Sequence, residues 1–275
     1  MKRGEWVFAV AVVVISTHSS LASAELLPLW EAGAGIAAIS FPDYRGSARH
    51  RNYLLPVPVF IYRGDVLQVD REKIRGLLLK RERAELDISI NGSAPIRSNG
   101  NPIRDGMPDL DPTLEIGPSL NVTLTETGRS KLALRLPLRA VIASDFRSFQ
   151  SAGIIANPNL NLDLKAVAGW RLGLVAGALF ADRKYHDYFY GVAPVYARPG
   201  RAAYRAPGGY SGAQFIAALS RRFEPVWVAG FVKVDVVDHA AFAPSPLVER
   251  RNNLSAGVAV TWVFARSGTR VERNE

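Results

Sequence analysis

The chain has 275 residues, 48% of them hydrophobic and 21% charged, with 34 Lys+Arg against 25 Asp+Glu for a net charge of +9. This is too apolar for a disordered chain. The absence of cysteine excludes a disulfide scaffold, a Cys-zinc site, an Fe–S cluster and a cysteine nucleophile. The 23 Gly and 17 Pro point to many turns rather than long helices.

The N-terminus reads first. Lys2 and Arg3 precede the apolar run Trp6–Ile15, and Ala22-Ser23-Ala24 forms an A-x-A cleavage site. That is the three-part pattern of a secretory signal peptide. The run is shorter than the roughly 20 residues that a membrane-spanning helix needs. Residues 1–24 are therefore expected to be removed near Ala24 on export, and no later apolar stretch approaches a spanning helix.

From there the dominant signal is a period of two. Leu114, Ile116, Pro118, Leu120, Val122 and Leu124 share one face, and Leu132, Leu134, Leu136 and Leu138 repeat the pattern. So do Leu160 to Leu164, Val226 to Val236, and Leu254 to Phe264. A helix returns its side chains every 3.6 residues, so these are half-buried strands. Twelve strands are expected near 32–41, 54–62, 65–72, 75–81, 84–93, 112–125, 130–143, 156–168, 171–183, 211–222, 226–238 and 253–264. The region 65–93 is crowded with charges, and without two hairpin arms there the count falls to ten.

Several of these strands are as long as the roughly 9–11 residues that a tilted strand needs to cross a bilayer. Short turns at 63–65, 126–129, 169–170 and 222–225 alternate with long polar loops at 42–53, 94–110, 144–155, 185–210 and 239–252. That asymmetry is typical of an outer-membrane barrel. Trp30, Tyr62, Trp170, Phe223, Trp227, Trp262 and Phe264 fall at the short-turn ends. Phe41, Tyr44, Tyr53, Phe146, Phe149, Tyr185, Tyr188, Phe189 and Tyr190 fall at the other ends. Two aromatic belts are expected from this.

The fold expected is all-β: a closed antiparallel transmembrane β-barrel over 25–264, followed by a short polar tail, 265–275, hanging disordered in the periplasm. With lipid outside, the charged residues that alternate with the apolar ones face the lumen: Glu115, Arg135, Arg139, Asp163, Lys165, Lys233 and Asp235. Trp262 and Phe264 end the last strand and are the expected assembly signal.

A resemblance now adds to this reading. Gly33-Ala34-Gly35-Ile36-Ala37, then Phe41-Pro42-Asp43-Tyr44-Arg45-Gly46-Ser47, then Leu55-Pro56-Val57-Pro58-Val59 with Tyr62-Arg63-Gly64-Asp65 resemble the opening of the MipA/OmpV family of outer-membrane proteins. Leu114 to Pro118, Phe189-Tyr190-Gly191-Val192 and the terminal strand Ser255–Phe264 fit as well, in the same order. The resemblance implies a small barrel in the outer membrane of a Gram-negative bacterium. Its name-giving member is similar to a scaffold that joins a murein transglycosylase (MltA) to a peptidoglycan synthase. Other members are porin-like, which makes a narrow channel for small solutes the alternative. The eleven residues after Phe264 depart from the family pattern, which stops at the terminal aromatic.

Rival chemistry is weak. Gly33-x-Gly35-x-x-Ala38 fits a dinucleotide fingerprint but lacks the helix after it and the acid about twenty residues on. Asp182, His186 and Asp187 make a one-His cluster, poor as a metal site, and His50, His186 and His239 read as solvated loop histidines. No enzyme, cofactor or metal is expected. Arg45, Arg49 and Arg51 crowd the first outer loop as a basic patch suited to lipopolysaccharide phosphates. Loop charges on an exported barrel do not fit nucleic acid.

Overall fold

The computed structural model describes residues 25–63, 67–69, 74–145, 147–165 and 169–273. The expected signal peptide and Phe146 lie outside the described residues. In chain order the strands are β1 (Glu25–Pro28), β2 (Trp30–Pro42), β3 (His50–Arg63), β4 (Leu67–Val69), β5 (Ile74–Lys80), β6 (Ala84–Ser93), β7 (Thr113–Glu126) and β8 (Ser130–Ser144). They continue as β9 (Phe149–Ala156), β10 (Asn159–Lys165), β11 (Trp170–Ala181), β12 (Gly209–Phe223), β13 (Val226–Val236), β14 (Asn252–Arg266) and β15 (Arg270–Arg273). One α-helix, α1 (Arg183–Tyr190), follows β11.

All the pairings are antiparallel. From β2 each strand pairs with the next through to β8, β8 pairs with both β9 and β10, and β10 leads through β11, β12 and β13 to β14. β14 then pairs with β2, Val260 opposite Ile36 and Val258 opposite Ala38. β9 and β10 run end to end, with Asn157 and Pro158 between them, and both lie between β8 and β11.

Alternation assigns the two faces of this curved sheet. On β14, Leu254, Val258, Val260, Trp262 and Phe264 are exposed, while Asn253, Ser255, Gly257, Thr261 and Val263 are buried. The same division holds on β7 and β8, where Leu114, Leu120, Leu136 and Leu138 face outward and Glu115, Ser119, Arg135 and Arg139 face inward. On these three strands the apolar side is therefore the exposed one, the reverse of a soluble barrel packed around a core.

Several expectations need correction. The tail is not disordered: β15 pairs with β1, Val271 opposite Leu27 and Arg270 opposite Pro28. Ser267 N donates to Trp30 O at 2.8 Å and Leu29 N to Thr269 O at 2.9 Å, carrying the ladder out of β14 and β2. The physical reason is that the first and last strands of the circuit are neighbours, so their ends leave side by side and go on pairing. The expected strand 156–168 is β10, Asn159–Lys165, and most of the expected loop 144–155 is a further strand, β9.

The long loops are not simply polar. Tyr44, Ile96, Leu110, Phe189, Tyr190, Val192, Phe242 and Leu247 pack into one buried cluster drawn from four loops. Tyr44, Phe189 and Tyr190 thus leave the expected upper belt for this cap. Phe41 and Tyr53 leave it too, stacking on the inner face with centroids 5.1 Å apart. At the turn end Phe223, Trp262 and Phe264 remain exposed on the outer face.

Candidate functional site

Two places concentrate polar chemistry: the inner face of the sheet and the loop cap above it. On the inner face, Arg139 Nε lies 3.1 Å from Glu115 Oε2. Arg139 also donates to Ser89 Oγ at 3.2 Å, and Asn91 Nδ2 donates to Glu115 Oε2 at 3.2 Å. Three adjacent strands, β6, β7 and β8, thus share one network. Arg135 is buried between Asn121 on β7 and Asn159 on β10, its register partners. Asp163 is buried opposite Lys131, and Lys165 is exposed at the turn end of the same strand.

Lys233 and Asp235 lie two residues apart on the inner face of β13, Nζ to Oδ2 3.0 Å. Asp235 also receives Arg45 Nε at 3.0 Å. Arg45 therefore reaches down from the first loop into the sheet's interior. Arg51 pairs with Asp43 and donates to Arg97 O at 3.1 Å. Of the three arginines expected as a basic patch, only Arg49 is exposed; the other two tie loops to strands.

Two inner contacts escaped the sequence reading. Glu31 is fully buried and takes a forked pair of hydrogen bonds from Arg222, at 2.6 and 3.2 Å. Asn253, at the start of β14, donates to Ser47 O at 2.7 Å and accepts from Gly46 N at 2.5 Å. The signal for Glu31 was present as a lone acid in the Gly/Ala-rich first strand; nothing in the sequence named its partner.

The cap is a small folded unit. Tyr44 Oη donates to Leu247 O at 2.9 Å, Tyr190 Oη to Arg45 O at 3.0 Å, and Ser245 Oγ to Tyr190 O at 2.7 Å. Arg104 is nearly buried and donates to Phe189 O and Pro108 O. Asp182 caps α1 by accepting from Tyr185 N at 2.8 Å. Gly153 on β9, at φ +109°, lets that helix start close by, because a Cβ there would strike Asp182 and Tyr185.

His186 is not the solvated loop histidine expected. It is fully buried, with Nδ1 2.5 Å from Pro207 O and Nε2 2.6 Å from Ser211 Oγ. Burial pulls its pKa below the usual histidine value, against the pull of the Pro207 carbonyl. Burial raises the Tyr44, Tyr185 and Tyr190 hydroxyls, and pushes Tyr188 up to about 12. Asp182, His186 and Asp187 each bond to a different partner, Asp187 to Ala206 N at 2.6 Å, and among the described residues no cluster has the donors for a metal ion.

The arrangement defines a class: a strand-only sheet, apolar outside and polar inside, with a packed lid at one end. The chain belongs to the MipA family, described as MltA-interacting protein MipA, whose model matches residues 34–264. Comparison with curated proteins gives no match. Among solved structures, the NanC porin is 7% identical, with 87% of this chain and 100% of that one covered and a TM-score of 0.38. A bacterial polysaccharide outer-membrane secretin is 8% identical over 86% and 99%, with a TM-score of 0.43. A Pseudomonas aeruginosa FadL homologue is 11% identical over 86% and 65%, with a TM-score of 0.34. Among the described residues, no helix is long and apolar enough to cross a membrane, which says nothing of strands.

Proposed function

We propose that this protein is a non-enzymatic barrel of twelve strands in the outer membrane of a Gram-negative bacterium, counting β9 and β10 as one strand, and that it serves as a scaffold for murein enzymes. The observation that carries the membrane placement is the exposed apolar face: Leu54 on β3 is 73% exposed, and Trp262 and Phe264 on β14 are 57% and 58% exposed. That much apolar surface is unfavourable in water at roughly 25 cal/mol per Å² and favourable in lipid. The turn end then lies in the periplasm and the capped end outside, with lipid and lipopolysaccharide as neighbours.

The family name supports a murein transglycosylase as partner, and a peptidoglycan synthase completes the scaffold reading. The β1–β15 ribbon gives the periplasmic side more docking surface than short turns alone. The porin-like alternative is favoured by the polar half of the inner face around Arg139 and Asp163, and disfavoured by the packed cap. Purified protein should retain a murein transglycosylase in pull-down and give no stable single-channel steps in a planar bilayer. Steady conductance without retention would reverse the choice.

A further inference from the structure

A charge sits on the outer face of the sheet, where β11, β12 and β13 reach the turn end. The registers set Trp170 opposite Arg221, and Arg221 opposite Val228. Leu219 and Phe223, the outward residues on either side of Arg221 along β12, are 41% and 44% exposed. Arg222 points the other way, to the buried Glu31. Every other outward residue on these three strands is uncharged, while the inward ones include Arg222, Lys233 and Asp235.

An arginine that faced hydrocarbon directly would leave its N–H donors without acceptors. The direction of the Arg221 side chain avoids this. Its Cζ lies 4.4 Å from the centroid of the Phe223 ring and 5.9 Å from that of Trp170, and the two rings meet edge-on at 6.3 Å. Phe223 is the last residue of β12 and Trp170 the first of β11. Gly169 precedes Trp170 in the turn, and a Cβ placed on it would lie 3.8 Å from Arg221 Nε. The side chain therefore runs along the strand toward the turn end and carries its charge to the level of the exposed Phe223 ring. That is how arginine reaches an interface from an apolar surface, and aromatic rings are favoured at the same level.

A cation over a ring is held by the ring's π face, so its N–H groups stay available to an oxygen ligand. Among the described residues the guanidinium meets these two rings and no carboxylate. Residues 166–168 of the same turn are Ala, Val and Ala, which bring no acid. The neighbouring Glu224 is engaged elsewhere, its Oε1 2.6 Å from Arg222 Nε. On the side away from the turn, Arg221 is followed by the paired Leu172 and Leu219 on the same outer face. A phospholipid has matching parts in the same order, a phosphate for the guanidinium fork and acyl chains for the leucines. A choline or ethanolamine head would bring a second cation beside Arg221, with Glu224 already paired. An anionic head brings none.

We infer that Trp170, Arg221 and Phe223 form a headgroup site for an anionic phospholipid of the periplasmic leaflet. Arg221 holds the phosphate, and the two rings fix the guanidinium. The site rests on the membrane reading above, and the following test separates the two.

Trp170 is the reporter. One chain carries Trp6→Phe, Trp30→Phe, Trp227→Phe and Trp262→Phe, which leaves Trp170 alone; a companion carries Trp170→Phe in place of Trp262→Phe, which leaves Trp262 alone. Both are folded into vesicles of mixed phosphatidylcholine and phosphatidylglycerol, with one or the other lipid brominated in its acyl chains. Heat-modifiable gel mobility reports closure. Bromine quenches tryptophan on contact, so the two quenching levels give the relative occupancy of the two lipids beside each ring. If the single-tryptophan chains do not fold, the parent chain and Arg221→Gln are compared with every tryptophan in place, and the preference for phosphatidylglycerol should drop in the variant.

At Trp170 phosphatidylglycerol should be favoured about fivefold, the order set by one arginine at an anionic interface. Arg221→Gln should bring that ratio close to one, and at Trp262 the two lipids should quench alike. Equal quenching at Trp170 would overturn the site, as would a preference that survives Arg221→Gln or appears equally at Trp262. Loss of the preference when inorganic phosphate replaces chloride at constant ionic strength would assign Arg221 to a free phosphate ion and not to a lipid. If neither brominated lipid quenches Trp170 or Trp262, the membrane reading falls and the site with it.

Discussion

Tyr190 at the end of α1 and Phe242 in the loop before β14 stack face to face, ring centroids 3.6 Å apart and planes 4° from parallel. Fifty-two positions separate them in the chain, and the contact joins two loops that each leave a different strand. It is the centre of the cap. His186 meets the same Phe242 ring edge-on at 4.9 Å.

Removing Phe242 should therefore loosen the cap and spare the sheet. A buried Phe→Ala change costs about 3–5 kcal/mol. For Phe242→Ala, protease added to intact cells should cut within 182–208 and 237–251, where the parent chain resists. The heat-modifiable band should keep its compact mobility, because no strand pairing is touched.

The cap should also weaken in acid. His186 has a folded pKa below its unfolded value, so its neutral form is favoured by folding. That stability is fully present above about pH 6.5 and is lost as pH falls through the folded value. Arg45 works with burial in this, and Asp182 and Asp187 oppose it. Protection of the loop amides, taken relative to their intrinsic exchange rate at each pH, should fall between pH 7 and pH 5, and His186→Gln should flatten that fall.

At the opposite end, the structure changes what a tail truncation should do. Deleting 267–275 removes Ser267 and β15, which leaves β1 without its partner strand and the Trp30 carbonyl at the start of β2 without its Ser267 donor. A lower melting temperature of the compact form is expected, together with slower folding into vesicles. Unchanged melting would mean that the ribbon contributes nothing to closure. Phe264→Ala should lower the folded yield independently, since its ring sits on the outer face at the turn end.

Glu31→Ala tests the lower interior. It leaves the Arg222 guanidinium without its forked acceptor, and charged hydrogen bonds contribute on the order of 1.5–3 kcal/mol each. The melting temperature should fall, and the double variant with Arg222→Leu should recover part of it. No recovery would mean that the two residues act separately.

Much of the fold was legible because alternation of apolar and polar residues survives in β7, β8, β10 and β14. Leu114 to Leu124 and Leu254 to Phe264 needed no tertiary information. The cap was not legible, because Tyr44, Phe189, Tyr190 and Phe242 lie in segments rich in Gly, Pro and charge with no periodicity to flag them. Their burial comes from four loops meeting in space. His186 was misread for the same reason: a lone histidine among aspartates looks solvated until Pro207 and Ser211 close over it. β9 reads as loop because Ser148, Gln150, Ser151 and Gly153 crowd its start and leave no apolar alternation there. The inner charges followed from parity alone, but partners such as Asn91 for Glu115 depend on registers that sequence spacing does not set.

The central claim is that the apolar face of this sheet meets lipid. Nitroxide labels placed one at a time from position 253 to 264 on β14, in protein reconstituted into vesicles, test it directly. Collision with oxygen, which concentrates in the bilayer, should peak at 254, 256, 258, 260, 262 and 264 and fall at the odd positions between. Collision with a water-soluble nickel chelate should be low at those same even positions. The opposite phase, or even positions open to the nickel chelate, would contradict the account and leave a soluble sheet protein in its place.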